Sequence, residues 1–241
     1  MTAAGPRQMP LSLPTRAALG RADFFVSSVN RMAIAMIDDW RNWPEGKLVL
    51  IGPEGSGKTH LAHVWAAQTG AAIIAGDRVG TVDTAALPPG SHVAVDDADR
   101  TRPQDEPALL HLHNHVLARG GRILFTTRRA PRHWPVALPD LASRIQACAT
   151  VALKAPDEVL LSAVLVKLFS DRQVRVSPAL VGYLVSRMER SLAMAGHLVA
   201  RLDERALARG GAITRALAAE VLDTLPDQPQ TLSSSRHIPD R

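Results

Sequence analysis

Gly52-Pro53-Glu54-Gly55-Ser56-Gly57-Lys58-Thr59 decides how the chain reads. The stretch fits G-x-x-x-x-G-K-[ST]. It follows a short apolar run, Lys47-Leu48-Val49-Leu50-Ile51, and precedes a helical pattern through Leu61, Val64 and Trp65, so it lies in the strand-to-helix context the motif requires. Glycines let successive backbone N–H groups turn inward around an anion, and the helix N-terminus adds its dipole. In that cradle Lys58 reaches the β and γ phosphates of a bound ATP or ADP, and the Thr59 hydroxyl is a ligand for Mg²⁺. His60 follows directly and is grouped with the nucleotide-contacting residues, in a packing or hydrogen-bonding role rather than a catalytic one.

Outward from the loop, four more apolar segments recur: Ala71 to Ala75, His92 to Val95, Arg122 to Thr126 and Ala149 to Leu153. Helical stretches separate them. Near-continuous apolar strands alternating with helices predict an α/β fold, a parallel sheet covered by helices on both faces. The second of these four ends in Asp96-Asp97. Asp96 is the metal-side carboxylate and Asp97 the group to polarise an attacking water, its side chain shorter than the glutamate common in such sites. Two acids capping the next turn is the plainer alternative. Thr126 and Thr127 end the next segment with hydroxyls suited to the γ-phosphate or the lytic water. Leu141-Ala142-Ser143-Arg144 precedes the last strand, and Arg144 can serve in trans as an arginine finger or simply be a solvated side chain.

An earlier helix starts after Ser27 or Ser28, either of which can cap it, with Val29, Met32, Ala33, Met36, Ile37 and Trp40 at helical spacing. After Ala155-Pro156 no strand pattern remains. Helices are expected over about 157–171, 178–188, 191–208 and 214–224, the first opened by Asp157 and Glu158. The expected organisation is a mobile arm at 1–21, a nucleotide-binding domain at 22–155, a small all-helical domain at 156–225 and a disordered tail at 226–241.

The chain has 241 residues, 46% hydrophobic and only 4% aromatic, which excludes disorder over most of its length and predicts an aliphatic core. Cys148 is the only cysteine, so no intramolecular disulfide forms and a reducing cytoplasm is expected. No apolar run reaches the roughly 18 residues of a membrane span. The formal charge of +5 invites a nucleic-acid reading, but Arg7, Arg16 and Arg21 on the arm supply three of the five, and no element concentrates a basic stripe.

Taken together, the motifs resemble an AAA+ module of the DnaA branch. The resemblance rests on Gly-Pro-x-Gly-Ser-Gly-Lys-Thr-His-Leu, Val-Asp-Asp, Leu-His-Leu-His-Asn, Thr-Thr-x-Arg-x-Pro and Leu-x-Ser-Arg between residues 27 and 153. The helical remainder is similar to an AAA+ lid. The sequence ends where a DnaA initiator would continue into a DNA-binding domain, which points to the Hda family of DnaA-related regulators. Those proteins promote ATP hydrolysis on DnaA when docked on the replicative sliding clamp. The resemblance therefore implies DnaA and the clamp as partners, DNA contacted mainly indirectly, no membrane, and a cytoplasmic, replisome-associated location; a homodimer is compatible with it. Gln8-Met9-Pro10-Leu11-Ser12-Leu13 is similar to the clamp-binding peptide, with Gln8 at the rim and Leu11 and Leu13 entering an apolar cleft. Phe24 and Phe25 resemble the segment before the first AAA+ helix, where Val26 and Asn30 line the adenine pocket.

Two departures bear on mechanism. DnaA-type sensor 1 carries an aspartate where this chain has Arg128, leaving sensing to Thr127. The usual sensor 2 arginine falls at Ala193, with Arg190 about one turn earlier as a substitute or a surface residue, so ATP and ADP should be less well discriminated and intrinsic turnover should be slow. A helicase loader sharing the AAA+ core is the alternative function; a small-molecule kinase fits less well because of Leu-x-Ser-Arg and the helical domain. His111, His113 and His115 alternate along a helix without a third aligned ligand, a poor metal set. Cys148 reads as a buried thiol, and Trp40, Trp43, Trp65 and Trp134 are scattered in sequence.

Overall fold

A computed structural model describes residues 25–224; the arm with Gln8, Leu11 and Leu13, and the tail, lie outside the described residues. Five strands form one parallel sheet: β1 (Lys47–Ile51), β2 (Ala72–Ala75), β3 (Val93–Asp96), β4 (Ile123–Thr127) and β5 (Ala149–Ala152), in the order β2-β3-β4-β1-β5. The apolar runs are strands because both faces are covered. Leu48 and Leu50 of β1 join Ala94 and Leu124 in one buried cluster with α1 (Arg31–Asp38) and α2 (Lys58–Thr69). Val49 points the other way, into a cluster with Val93, Val95, Ile123 and Phe125 under α3 (Glu106–Ala118) and α4 (Pro139–Gln146). The two-residue alternation survives, although both sets are apolar.

The scarce aromatics matter more to this core than their number suggests, since Trp65, Phe125 and Phe169 are among the largest wholly buried side chains. Trp43 stacks on Trp65 with centroids 5.1 Å apart, and Trp40 meets His92 edge-on at 4.9 Å. Tryptophans far apart in sequence thus converge beside the sheet.

α5 (Glu158–Asp171), α6 (Pro178–Val185), α7 (Leu192–Arg209) and α8 (Arg215–Thr224) enclose a separate apolar cluster built on Leu161, Leu165, Phe169, Leu184, Leu198 and Leu202. Three of these helices start on a side-chain cap: Asp157 accepts from the Leu160 N–H, Ser177 from Leu180 and Ser191 from Met194. α1 differs from expectation. It begins at Arg31, and Ser27 and Ser28 do not cap it; Ser27 instead sits one turn earlier, its carbonyl accepting from the Asn30 and Arg31 N–H groups.

Candidate functional site

Sheet order builds the site. Because β4 lies between β1 and β3, the end of β4 stands between the loop that leaves β1 and the acidic pair that ends β3. The register sets Ile51 opposite Thr127, and the Gly52 N–H continues the ladder by donating to the Thr127 carbonyl at 3.0 Å. From there the loop turns over itself. Ser56 Oγ and Lys58 Nζ both donate to the Pro53 carbonyl, at 2.8 and 2.9 Å. Gly57, at φ +100°, precedes α2 with no side-chain cap, so the helix N-terminus faces the loop with its dipole uncovered. Lys58 is buried, and that burial is the main cause holding its ammonium below the ordinary lysine value. Asp97, Asp96 and Asp99 pull it back up, while Arg128 pushes it further down.

Opposite the loop, Thr59 Oγ1 donates to Asp96 Oδ2 at 2.8 Å and Thr126 Oγ1 donates to Asp96 Oδ1 at 2.5 Å. Thr126 Oγ1 also accepts from the Asp97 N–H at 2.9 Å. Asp97 itself is in the left-handed region, φ +50°, which breaks strand alternation just after Asp96. Gly76 accommodates this turn, because a Cβ there would stand 2.4 Å from the Asp97 carbonyl oxygen. The Thr59 hydroxyl and Asp96 carboxylate form an all-oxygen donor pair beside the phosphate loop. That chemistry fits Mg²⁺, a hard ion usually held by one or two carboxylates together with substrate phosphates.

The structure thus brings Gly52 to Thr59, Asp96 and Asp97 to one place. Thr127, expected to sense the phosphate, is tied elsewhere: its hydroxyl donates to the Arg129 carbonyl at 2.9 Å and accepts from the Arg129 N–H at 3.1 Å. Neighbouring strand residues face opposite sides, so only Thr126 meets the acids. His60 is half-buried in the first turn of α2. Asn30 is buried with its amide committed at both ends, accepting from the Ser27 N–H and donating to the Phe25 carbonyl, each at 2.8 Å; Val26 is exposed. This segment borders the site, since the Lys154 N–H donates to the Val29 carbonyl at 3.4 Å and a Cβ on Gly52 would meet the Leu153 carbonyl at 2.6 Å.

Arg144 lies at the other end of the sheet. α4 runs back from the strand tips, and β5 restarts with Ala149 beside Leu48 at the beginning of β1. Arg144 is solvent-accessible and pairs with Asp140 at 3.0 Å. The buried Glu106 anchors the lead-in to its helix by accepting from the Ala137 and Leu138 N–H groups at 3.0 and 2.7 Å.

Other contacts were not legible from the motif. The Leu192 N–H donates to the Gly55 carbonyl at 2.7 Å, so α7 begins against the phosphate loop. Ala193 lines a small cavity there with Glu54, Glu189, Ser191, Met194 and His197. Arg190 points elsewhere, to Glu158 at 2.9 Å. Arg128 reaches across to Glu54 at 2.7 Å, and its N–H donates to Asp99 Oδ2 at 3.3 Å. Among the histidines, His111 and His115 lie 6.0 Å apart by centroid, while His113 is buried on the inner face, where burial lowers its basicity.

Fold and site together define an α/β AAA+ module: a parallel five-stranded sheet flanked by helices, with a phosphate loop and a helical bundle against it. DnaA domain III from Thermotoga maritima superposes with a TM-score of 0.71 at 16% identity, covering 88% of this chain and 98% of that one. AMPPCP-bound DnaA from Aquifex aeolicus gives 0.60 at 15% identity, over 78% of this chain and 64% of that one. The Holliday-junction branch-migration motor RuvB of Thermotoga maritima gives 0.62 at 16% identity, over 81% and 69%. No protein-family model and no curated protein matches the chain. Among the described residues, no helix is long and apolar enough to cross a membrane.

Proposed function

We propose that the chain is a nucleotide-binding AAA+ regulator of the Hda type, docking on the sliding clamp and promoting hydrolysis of ATP bound to DnaA. Nucleotide binding is the first part of the reading: Lys58 and the loop N–H groups hold the β and γ phosphates of ATP or ADP. Thr59 and Asp96 hold Mg²⁺, which when bound neutralises charge on the phosphate oxygens. Asp97 orients water with a short side chain, so this chain's own turnover is slow. Structural likeness to AMPPCP-bound DnaA supports the nucleotide assignment.

The observation that carries the regulatory part is the placement of Arg144. It is accessible, on a helix end anchored through Glu106, and at the opposite end of the sheet from its own phosphate loop. A guanidinium so placed serves a neighbour's nucleotide, where it stabilises developing phosphoryl charge and accelerates hydrolysis by roughly 10³ to 10⁵. Gln8, Leu11 and Leu13 provide the clamp contact. The test is DnaA ATP hydrolysis with clamp-loaded and naked DNA. Stimulation by wild type that requires the clamp, and is lost in Arg144→Ala, supports the reading. Stimulation that survives Arg144→Ala removes the finger, and binding to a replicative helicase in place of the clamp would favour the loader alternative.

A further inference from the structure

Arg128 was noticed in the sequence only as a departure from the family pattern, yet it occupies a commanding place. Its backbone is pinned on both sides: the Thr127 carbonyl accepts from Gly52, the first residue of the phosphate loop, and the Arg128 N–H donates to Asp99 Oδ2. Its guanidinium crosses the loop to the Glu54 carboxylate at 2.7 Å. The side chain therefore swings from a fixed base over the mouth of the cradle that holds Lys58. No other arginine named near the loop is free to do this, because the sensor 2 position is Ala193 and Arg190 is turned to Glu158 on α5.

We propose that Arg128 is a γ-phosphate-binding residue that exchanges Glu54 for the nucleotide, so that the Glu54–Arg128 pair reads ATP against ADP. The inference rests on the phosphate loop being the nucleotide site and deepens that reading. Three physical points carry it. A guanidinium's planar fork fits a carboxylate and a phosphoryl group equally well. The Glu54–Arg128 pair is solvent-accessible on both sides, 57% and 42% exposed, so it contributes little and separates at small cost. An incoming polyphosphate repels Glu54 and attracts Arg128, which drives the exchange in one direction. Asp96, Asp97 and Asp99 also face this place and oppose Lys58 and Arg128, so the cradle holds two cations among four acids until an anion arrives with its metal. A terminal phosphate is what distinguishes the ligand that completes the exchange.

Equilibrium titration of the full chain with fluorescent mant-ATP and mant-ADP, in Mg²⁺, tests this. In Arg128→Ala, ATP affinity should fall about tenfold to a hundredfold, the range of a lost charge-assisted contact, and ADP affinity by less than about twofold. Arg128→Lys should recover part of the loss, and Glu54→Gln should tighten ATP by removing the competing carboxylate. Equal losses for ATP and ADP, or no loss for either, overturn the proposal. Lys58→Ala separates the two levels. If it weakens both nucleotides while Arg128→Ala shows no ATP bias, only the Arg128 role fails. If Lys58→Ala binds both as wild type does, the phosphate-loop reading fails and takes this proposal with it.

Discussion

Gly55→Ala should uncouple the helical bundle from the phosphate loop. Gly55 sits at φ +70°, where an alanine costs about 1–2 kcal/mol in backbone strain. Its new Cβ would lie 1.9 Å from Ser191 Oγ, 2.6 Å from Ser191 Cβ and 3.1 Å from Ser191 Cα. Ordinary contact needs roughly 3.5–4 Å, so the start of α7 must move back by more than an ångström. That movement breaks the 2.7 Å bond from the Leu192 N–H to the Gly55 carbonyl, worth about 0.5–1.5 kcal/mol. The sum, about 2–3 kcal/mol, falls on the loop and on the α7 junction, because the bundle's apolar cluster shares no residue with the two sheet clusters. Nucleotide titration should show a loss of about thirtyfold or more, while the apo protein still unfolds cooperatively. The decisive comparison is a double-mutant cycle with Ser191→Gly. Removing the Ser191 side chain relieves the two nearest clashes and costs only a few tenths of a kcal/mol as an N-cap change. About 1 kcal/mol of the loss should return, with the strain at position 55 remaining. Additive losses would refute the idea that α7 presses on the loop.

Three further outcomes follow from the same geometry. Gln8→Ala and Leu11→Ala/Leu13→Ala should weaken clamp pull-down without altering nucleotide affinity; undiminished capture would discard the arm peptide. Burial pushes the Cys148 thiol up from 9.0 to about 11, so at pH 8 iodoacetamide should alkylate it about a hundredfold more slowly in the native protein than in urea. The sign for stability is also set: the protonated thiol's contribution is complete below pH 9 and is lost as pH rises from 9 to 11, on the order of 2–3 kcal/mol, so wild type and Cys148→Ala should converge in urea denaturation across that interval. Glu106→Ala leaves the Ala137 and Leu138 N–H groups buried without their acceptor and should lower stability by about 2–4 kcal/mol at one to two kcal/mol for each; a melting temperature unchanged from wild type would contradict the anchoring role.

Much of the fold was legible because its signals are local. Every strand lies within a residue or two of its apolar run, and Asp157 caps α5 as its place after Pro156 suggests. The acidic pair and the phosphate loop were legible for the same reason, as short motifs at strand ends. What escaped depends on direction and distance. Adjacent threonines look alike in sequence, but strand alternation sends Thr126 to Asp96 and Thr127 to the Arg129 backbone. Ser27 and Ser28 are good capping residues, yet the turn fixed by the Asn30 amide delays α1 to Arg31. Glu54 and Arg128, 74 positions apart, and Gly55 and Leu192, farther still, meet only once β4 is inserted beside β1 and the bundle folds back. No periodicity encodes such meetings.

The account stands or falls on Lys58 as the centre of a nucleotide site. Binding of ATP and ADP to wild type and Lys58→Ala, measured by equilibrium titration in Mg²⁺ with folding checked by thermal denaturation, tests it most directly. Wild type should bind both nucleotides, and Lys58→Ala, folded, should lose at least about tenfold in each. Equal affinity in the two proteins would contradict it.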